Sequence, residues 1–269
     1  MKKIKILVIG KNSLLAKNYQ KLSKIVNTDL ISRQSLSKVD LKSYSHIINF
    51  CIEPGVYKHN YNLKNVLDKK ICSLIKNTNT IYVMPSSRLV YSKNITYPIS
   101  EKTKKYNSSN IYGKNKKKIE NIVRKQLSNN YLILRISTIL LFDISKRRLF
   151  ISTILRNLKK KNKIYFDISP DSFKDFITIE LFTKMLDNLI KGKETGIFNL
   201  SSGIPIKICE ILKKIISGYG RGKIKYLNVK KKDSYVLNNK KLKKKYKFSI
   251  SKNYILNYCK KIGERLLNE

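Results

Sequence analysis

Short apolar runs alternate with longer amphipathic stretches along the first half of the chain. The predicted strands are residues 3–9, 28–32, 46–51, 79–85 and 131–138. Between them, apolar residues recur every three to four positions, which is the period of an amphipathic helix. The predicted helices are residues 13–25, 60–77 and 111–128. Strands that alternate with helices are typical of βαβ units, so we expect an α/β fold with a doubly wound parallel sheet.

The pattern loosens beyond about residue 145. The predicted helices of this half are residues 149–160, 177–190, 206–217, 237–246 and 252–267, and residues 196–200 are a predicted strand. We therefore expect a Rossmann-like domain at residues 1–145 and a smaller C-terminal lobe at residues 146–269, with residues 174–202 returning in part to the main sheet.

The first predicted strand leads through Gly10 directly into a helix. This arrangement points free backbone N–H groups and the positive end of the helix dipole at one place, which favours a pyrophosphate. The glycine fingerprint of such sites is incomplete here, because Ser13 and Ala16 stand where the second and third small residues would fall. Both side chains are small, so the backbone can still approach a ligand closely.

Tyr112 and Lys116 are four residues apart in a predicted helix, and Ser87 follows the fourth predicted strand. Positions i and i+4 share a helix face, so the phenol and the ammonium can approach each other. A phenol titrates near ~10 in isolation, and a neighbouring cation moves its pKa toward neutrality. We therefore expect Tyr112 to exchange a proton with a substrate oxygen that the Ser87 hydroxyl holds.

Taken in order, these segments resemble the extended short-chain dehydrogenase/reductase family, which contains nucleotide-sugar epimerases, dehydratases and reductases. Residues 6–16 look like its coenzyme loop, residues 81–91 like its fourth core strand, and residues 111–120 like its catalytic helix. Later landmarks of the family are similar to residues 134–136, 174–177, 196–203 and 238–242. The resemblance spans nearly the whole chain, and it implies that the first domain binds a dinucleotide and that the C-terminal lobe binds substrate.

The resemblance also implies the residues of the site. The catalytic residues would be Ser87, Tyr112 and Lys116. The residues that bind the coenzyme would be Gly10, Asn12, Ser13, Leu14, Leu15, Ser32, Arg33, Asp40, Leu41, Phe50 and Cys51, together with Tyr112 and Lys116. Substrate would contact Ser87, Arg88, Tyr112 and Lys174.

The second predicted strand bears on the choice of coenzyme. An acidic residue at its end would accept the ribose hydroxyl of NAD, whereas a cation favours the 2′-phosphate of NADP. Here the strand runs into Ser32 and Arg33, so we expect NADP, with NAD as the alternative. Asp40 resembles the family's residue that reaches the adenine, and a turn or cap role would explain it equally well.

The implied reaction is reduction of a keto group on a nucleotide-activated 4-keto-6-deoxysugar, used to build a surface polysaccharide. Dehydration would need an acid–base pair just after the catalytic hydroxyl, where this chain has Arg88 and Leu89. The weak glycine loop and the short chain favour a reductase over an epimerase of the same family. A homologue that binds nucleotide without turnover is the remaining alternative.

Composition gives a formal net charge of +41. Such a charge is typical of nucleic-acid-binding proteins. Lysine is spread along the whole chain, however, and phosphate and base readers favour arginine. We therefore expect no nucleic-acid partner.

No membrane segment and no metal site are expected, because apolar runs are short and the four cysteines show no metal spacing. A cytoplasmic location follows. A homodimer through helices 60–77 and 111–128 is an expectation from the family.

Overall fold

The computed structural model describes residues 4–92, 98–106, 109–147 and 149–269, so residue 3 of the first predicted strand lies outside them. The strands are β1 (Ile6–Ile9), β2 (Thr28–Ile31), β3 (His46–Asn49), β4 (Ile81–Ser87), β5 (Tyr131–Ile136), β6 (Thr138–Leu140), β7 (Lys163–Phe166), β8 (Phe173–Lys174), β9 (Phe176–Thr178), β10 (Gly196–Leu200), β11 (Ile206–Lys207) and β12 (Lys223–Tyr226). The helices are α1 (Leu14–Leu22), α2 (Leu67–Ile75), α3 (Ile111–Leu127), α4 (Phe150–Lys161), α5 (Ile179–Lys191), α6 (Ile208–Tyr219), α7 (Lys240–Lys245) and α8 (Lys252–Leu267).

The chain divides into two units. The first unit comprises Met1–Ile95, Glu101–Ile136 and Glu180–Leu200, and the second comprises Thr96–Ser100, Ser137–Ile179 and Ser201–Glu269. Each unit is described by itself below.

A six-stranded sheet in the order β10-β5-β4-β3-β1-β2 forms the centre of the first unit, and every described pairing in it is parallel. The predicted fold class, an α/β doubly wound sheet, is confirmed. Strand β1 lies between β2 and β3, so the strand order reverses beside it. Doubly wound sheets bind ligands at such a switch point, outside the carboxyl ends of the strands.

Buried aliphatic side chains hold this sheet together. All four residues of β1 are fully buried, as a strand covered on both faces requires. On one face, α2 contributes Ile71 and Ile75 and α3 contributes Ile119 and Val123 to a shared apolar cluster. Each buried aliphatic side chain of this size contributes about 1.5–3 kcal/mol. The lysines of both helices occupy other positions than these apolar ones, which explains how so basic a chain still builds a core.

The helix predicted at residues 60–77 is shorter in the structure and begins at Leu67. The preceding segment makes local turns instead, with the Lys58 amide bonded to the Gly55 carbonyl at 2.7 Å and the Lys64 amide to the Asn62 side chain at 2.8 Å. The carboxylate of Glu53 accepts the Leu67 N–H at 2.8 Å and so caps the shortened helix. Side-chain hydrogen bonds therefore outweigh the apolar pattern over these residues.

The second unit has small two-stranded sheets among its described residues. Strands β6 and β9 pair in parallel, as do β7 and β12, while β8 and β11 pair antiparallel. Helices α4, α6 and α8 surround an apolar cluster that includes Leu155, Ile211 and Ile255. Ile177, expected to begin a helix, lies in β9 instead. No helix among the described residues combines the length and the apolar character needed to cross a bilayer.

Candidate active site

Gly10 makes the turn between β1 and α1 at the switch point of the sheet. Its φ is +115°, a conformation that costs a side chain strain. A Cβ atom there would lie 3.1 Å from backbone atoms of Phe50 and Cys51 at the end of β3. The Gly10 amide donates to the Ile31 carbonyl at 2.9 Å, so this turn joins the ends of three strands. The single glycine left from the fingerprint thus stands where the backbone needs one.

The N-terminus of α1 follows at once. Ser13 is the N-cap residue, yet its side chain makes no capping hydrogen bond, and its amide donates to the Gly10 carbonyl at 2.6 Å. Asn12 is exposed, and Leu14 and Leu15 are half-buried. The first-turn N–H groups are therefore not satisfied by the cap, and they suit an anion such as a pyrophosphate.

A carboxylate lies beside Arg33 after the end of β2, although none was expected there. Glu53, which follows β3, accepts from Nη1 of Arg33 at 3.2 Å. Ser32 pairs its hydroxyl with that of Ser35 at 2.9 Å. Sequence reasoning missed Glu53 because 20 residues separate it from Arg33. Its position just after a predicted strand end was the available signal.

Four of the expected coenzyme residues have structural surroundings that explain their side chains without a ligand. The Asp40 carboxylate accepts from the Lys42 amide at 3.0 Å and caps a short 3-10 turn. Leu41 and Phe50 are 5% and 4% exposed, and both side chains belong to the core. Cys51 is half-buried, and burial raises the pKa of its thiol. Since Leu41 and Phe50 are covered, a coenzyme contact at these positions would use their backbone.

Helix α3 passes very close to the end of β4. A Cβ atom at Gly113 would lie 1.9 Å from the carbonyl oxygen of Leu89, so only glycine permits this approach. Lys116 donates from Nζ to the Pro85 carbonyl at 2.8 Å. The helix begins at Ile111 because the Asn110 side chain accepts the Gly113 N–H at 2.8 Å. Gly113 and Lys116, which follow Tyr112, therefore contact Leu89 and Pro85, which lie on either side of Ser87.

The ring of Tyr112 stacks on the ring of Tyr57, with centroids 4.9 Å apart and an interplanar angle of 14°. The buried side chain of Asn115 fixes this arrangement, because its amide nitrogen donates to the carbonyls of Val56 and Lys58 at 2.9 and 3.0 Å. Tyr57 itself is 61% exposed, although one face of its ring is covered by Tyr112. Sequence reasoning did not find Tyr57, and its place in an irregular loop gave no signal.

The expectation that Lys116 lowers the pKa of Tyr112 is wrong for this structure. Burial, together with a smaller effect of the negative charge of Asp68, raises the pKa of the Tyr112 phenol to about 12. The ammonium of Lys116 is held by the Pro85 carbonyl instead. Tyr112 is consequently a protonated phenol at neutral pH.

A buried ion pair anchors α3 to the sheet. Arg135 of β5 donates from Nε and Nη2 to the Glu120 carboxylate at 3.1 and 2.7 Å, and Ser86 of β4 donates to it at 2.6 Å. Both charged side chains are fully buried. Burial alone would raise the pKa of the Glu120 carboxyl, but Arg135, Ser86 and Lys117 hold it below its ordinary value. Sequence reasoning missed the role of Arg135, although a single arginine within an apolar strand was a signal.

The remaining candidates lie in two places. The Ser87 hydroxyl accepts from the Leu89 amide at 3.2 Å, at the carboxyl end of β4, and Arg88 is half-buried beside it. Lys174 belongs to the second unit, where its buried ammonium donates to Asp233 at 2.5 Å. Lys174 thus already has an internal anionic partner. No group of metal-ligating side chains occurs among residues 4–92, 98–106, 109–147 and 149–269.

No family model matches the chain, and no curated protein matches it in sequence. Solved structures do match over almost its full length. One is a UDP-N-acetylglucosamine 4-epimerase from Methanobrevibacter ruminantium in complex with UDP-N-acetylmuramic acid, with a TM-score of 0.81 at 16% identity. The match covers 100% of this chain and 99% of the epimerase chain. A dTDP-4-dehydrorhamnose reductase from Clostridium acetobutylicum has a TM-score of 0.76 at 20% identity, with 98% and 99% covered.

A further dTDP-4-dehydrorhamnose reductase, from Bacillus anthracis and in complex with NADP, has a TM-score of 0.78 at 16% identity and covers 98% of this chain and 99% of its own. These structural neighbours are members of the extended short-chain dehydrogenase/reductase family. The chain therefore has the fold of that family, as the motifs predicted.

Proposed function

We propose that the protein is an NAD(P)H-dependent oxidoreductase that reduces the keto group of a nucleotide-activated 4-keto-6-deoxysugar. The observation that carries this proposal is the packing of α3 against the end of β4, which gathers Tyr112, Lys116 and Ser87 in one region of the first unit. That region lies at the carboxyl edge of a doubly wound sheet, where such folds bind their ligands. The 4-dehydrorhamnose reductases among the structural neighbours support the same reaction class.

A nicotinamide coenzyme would supply the hydride. The turn at Gly10 and the uncapped N-terminus of α1 fit its pyrophosphate, because they offer close backbone approach and free N–H groups. Arg33 would face the adenosine ribose, where a cation favours the 2′-phosphate of NADPH. Lys116 would hydrogen-bond the ribose at the nicotinamide end. Its ammonium donates to the neutral carbonyl of Pro85, which leaves it hydrogens for a second acceptor.

Tyr112 would donate a proton to the substrate oxygen while the Ser87 hydroxyl orients the carbonyl and stabilises the developing charge. An ordinary phenol already carries its proton at neutral pH, and burial raises the pKa of Tyr112 to about 12, so this group can be the proton donor that a reduction needs.

Residues beside the catalytic group would contact the sugar nucleotide. Arg88 lies next to Ser87 in sequence and brings a cation toward an anionic diphosphate. Lys174 remains a proposed substrate residue, although its ion pair with Asp233 would have to open for a diphosphate to replace the carboxylate. A homodimer through α2 and α3 remains a prediction, which sedimentation analysis would test.

Substitution of Tyr112 by Phe tests the assignment. We expect turnover of a keto sugar nucleotide to fall by at least ~100-fold, because the proton donor is lost. Fluorescence titration should show that reduced coenzyme still binds. Tyr165→Phe, at a partly exposed tyrosine of the second unit, is the matched control and should retain full turnover. Retention of most of the wild-type activity by Tyr112→Phe would contradict the proposal.

An epimerase is the second candidate, because the M. ruminantium epimerase has a TM-score of 0.81. The two activities differ in stoichiometry. A reductase oxidises one coenzyme for each sugar converted, whereas an epimerase regenerates its coenzyme and shows no net change in absorbance. Coenzyme binding without either reaction on a panel of keto sugar nucleotides would instead indicate a non-catalytic homologue.

A further inference from the structure

The contact between Arg33 and Glu53 has a consequence for coenzyme choice. Arg33 follows β2 by two residues, at the place where Rossmann folds read the 2′-position of the adenosine ribose. Its guanidinium therefore stands where the phosphate of NADPH would need a cation. In this structure the guanidinium already binds a carboxylate, at 3.2 Å.

Glu53 is held firmly in this position. One carboxylate oxygen accepts the Leu67 N–H at the start of α2 at 2.8 Å, and the other accepts from Arg33. The Glu53 side chain is 7% exposed, whereas that of Arg33 is 38% exposed. A charge that is withdrawn from solvent is poorly screened. Glu53 thus acts on its neighbourhood as a fixed negative charge, while Arg33 can also reach outward.

The surroundings of Arg33 are otherwise cationic. Arg33 lines a cleft of about 810 Å³ together with Lys64, Lys69 and Lys70, and none of the residues described as lining it is acidic. These lysines favour an anion near Arg33, and Glu53 opposes one. A 2′-phosphate that bound Arg33 would carry about two negative charges next to the buried carboxylate.

We propose that Glu53 is a residue that sets coenzyme specificity by competing with the 2′-phosphate for Arg33. This inference rests on the proposed function, since it requires a nicotinamide coenzyme at the end of β2. It implies that the wild-type protein prefers NADPH over NADH less strongly than it would with an unpaired Arg33. Neutralising Glu53 releases Arg33 and makes the site selective for NADPH.

The experiment measures the dissociation constants of NADH and NADPH by the fluorescence of the reduced nicotinamide, without substrate. The variants are Glu53→Gln, Arg33→Gln and the double variant. Glutamine keeps an oxygen that accepts the Leu67 N–H, so the fold should persist, and thermal melting checks this. Glu264→Gln, which removes the same charge from an exposed pair with Lys260, is the matched control.

We expect Glu53→Gln to tighten the binding of NADPH relative to NADH by about tenfold, because the released guanidinium of Arg33 can then pair with the 2′-phosphate. Arg33→Gln should shift the ratio of the two dissociation constants in favour of NADH. In the Arg33→Gln background, the Glu53 substitution should leave the ratio unchanged, because Glu53 acts through Arg33. Glu264→Gln should bind both coenzymes as the wild type does.

Four outcomes would overturn the inference. If wild type and Glu53→Gln bind both coenzymes with the same ratio of dissociation constants, the role of Glu53 is refuted while the proposed function stands. An equal shift in the Arg33→Gln background, or a shift that comes only from weaker NADH binding, would show that Glu53 reads the ribose directly. Failure of the wild type and every variant to bind either coenzyme would overturn the proposed function as well.

Discussion

The two sides of the candidate site are fixed by different means. On the α3 side, fully buried groups set the geometry: the Glu120–Arg135 pair, the Ser86 hydroxyl and the close approach of Gly113 to Leu89. On the β1–β2 side, a backbone turn at Gly10 and a partly exposed arginine do so. The segments that carry the groups proposed to transfer the proton are thus held by buried side chains, whereas those proposed to hold the coenzyme depend on a backbone turn and a partly exposed side chain.

Removing the charge of Glu120 is the most severe way to break the α3 side. Glu120→Gln leaves the Arg135 guanidinium buried without its anion, and we expect a loss of about 3 kcal/mol or more in the free energy of unfolding. Urea denaturation measures this loss. The same substitution at Glu264, in a surface pair, should cost less than about 1 kcal/mol. Equal losses of unfolding free energy at both positions would show that the buried pair stabilises the fold no more than a surface pair does.

We also expect the stabilisation by the Glu120 carboxylate to depend on pH. The pKa of Glu120 is lower in the folded protein than its unfolded value of about 4.3. Its ionised form therefore stabilises the fold above that value, and this contribution is lost as the pH falls through the folded pKa. The difference in unfolding free energy between wild type and Glu120→Gln should accordingly narrow below about pH 4. A difference independent of pH would contradict the pair as its source.

Substitution of Gly113 by Ala separates geometry from stability. The new Cβ would meet the Leu89 carbonyl at 1.9 Å, so α3 must move away from the end of β4. We expect about 1–3 kcal/mol of destabilisation and a fall in kcat of roughly 100-fold. Gly218→Ala is a matched control, since its Cβ would lie 1.9 Å from the Lys260 carbonyl oxygen in the second unit.

Gly218→Ala should lose similar stability while the folded enzyme keeps a kcat within a few-fold of wild type. Both are measured by thermal melting and by turnover at a temperature where each variant is folded. If the two variants lost kcat equally, the contact between Gly113 and Leu89 would have no special role in the reaction.

The smallest effect is expected on the β1–β2 side, at Asp40. Its carboxylate caps an exposed 3-10 turn, and Asp40→Ala should cost only about 0.5–1 kcal/mol. The substitution also resolves the two roles that the sequence allowed. Unchanged coenzyme affinity in a titration would agree with a cap alone. A clear loss of affinity at constant stability would assign Asp40 to the adenine.

The sequence predicted this architecture well where one local signal was sufficient. The apolar runs located all five strands of the first half, and the order of Gly10, Ser87, Tyr112 and Lys116 led to the correct fold. Contacts between distant segments could not be predicted in this way. The stacking of Tyr57 on Tyr112 and the pairing of Glu53 with Arg33 depend on how an irregular loop folds back, and neither leaves a periodic trace.

The pKa of Tyr112 shows the same limit. Helical spacing correctly placed Lys116 on the same stretch of α3, but spacing does not report which acceptor an ammonium finds. The ammonium of Lys116 donates to the Pro85 carbonyl. The burial that raises the pKa of Tyr112 comes from side chains of α2 and of the loop after β3. Titration depends on the whole environment of a group rather than on one neighbour.

The close contact of α3 with the end of β4 also bears on how such a protein can diversify. Since Gly113 touches Leu89 and Glu120 holds Ser86, the phenol and the hydroxyl belong to one rigid block that mutation cannot easily reshape. Under the proposed function, the type of reaction would be inherited with that block. Sugar specificity would then change through substitutions elsewhere, so descendants of this chain would change what they act on long before they change the chemistry.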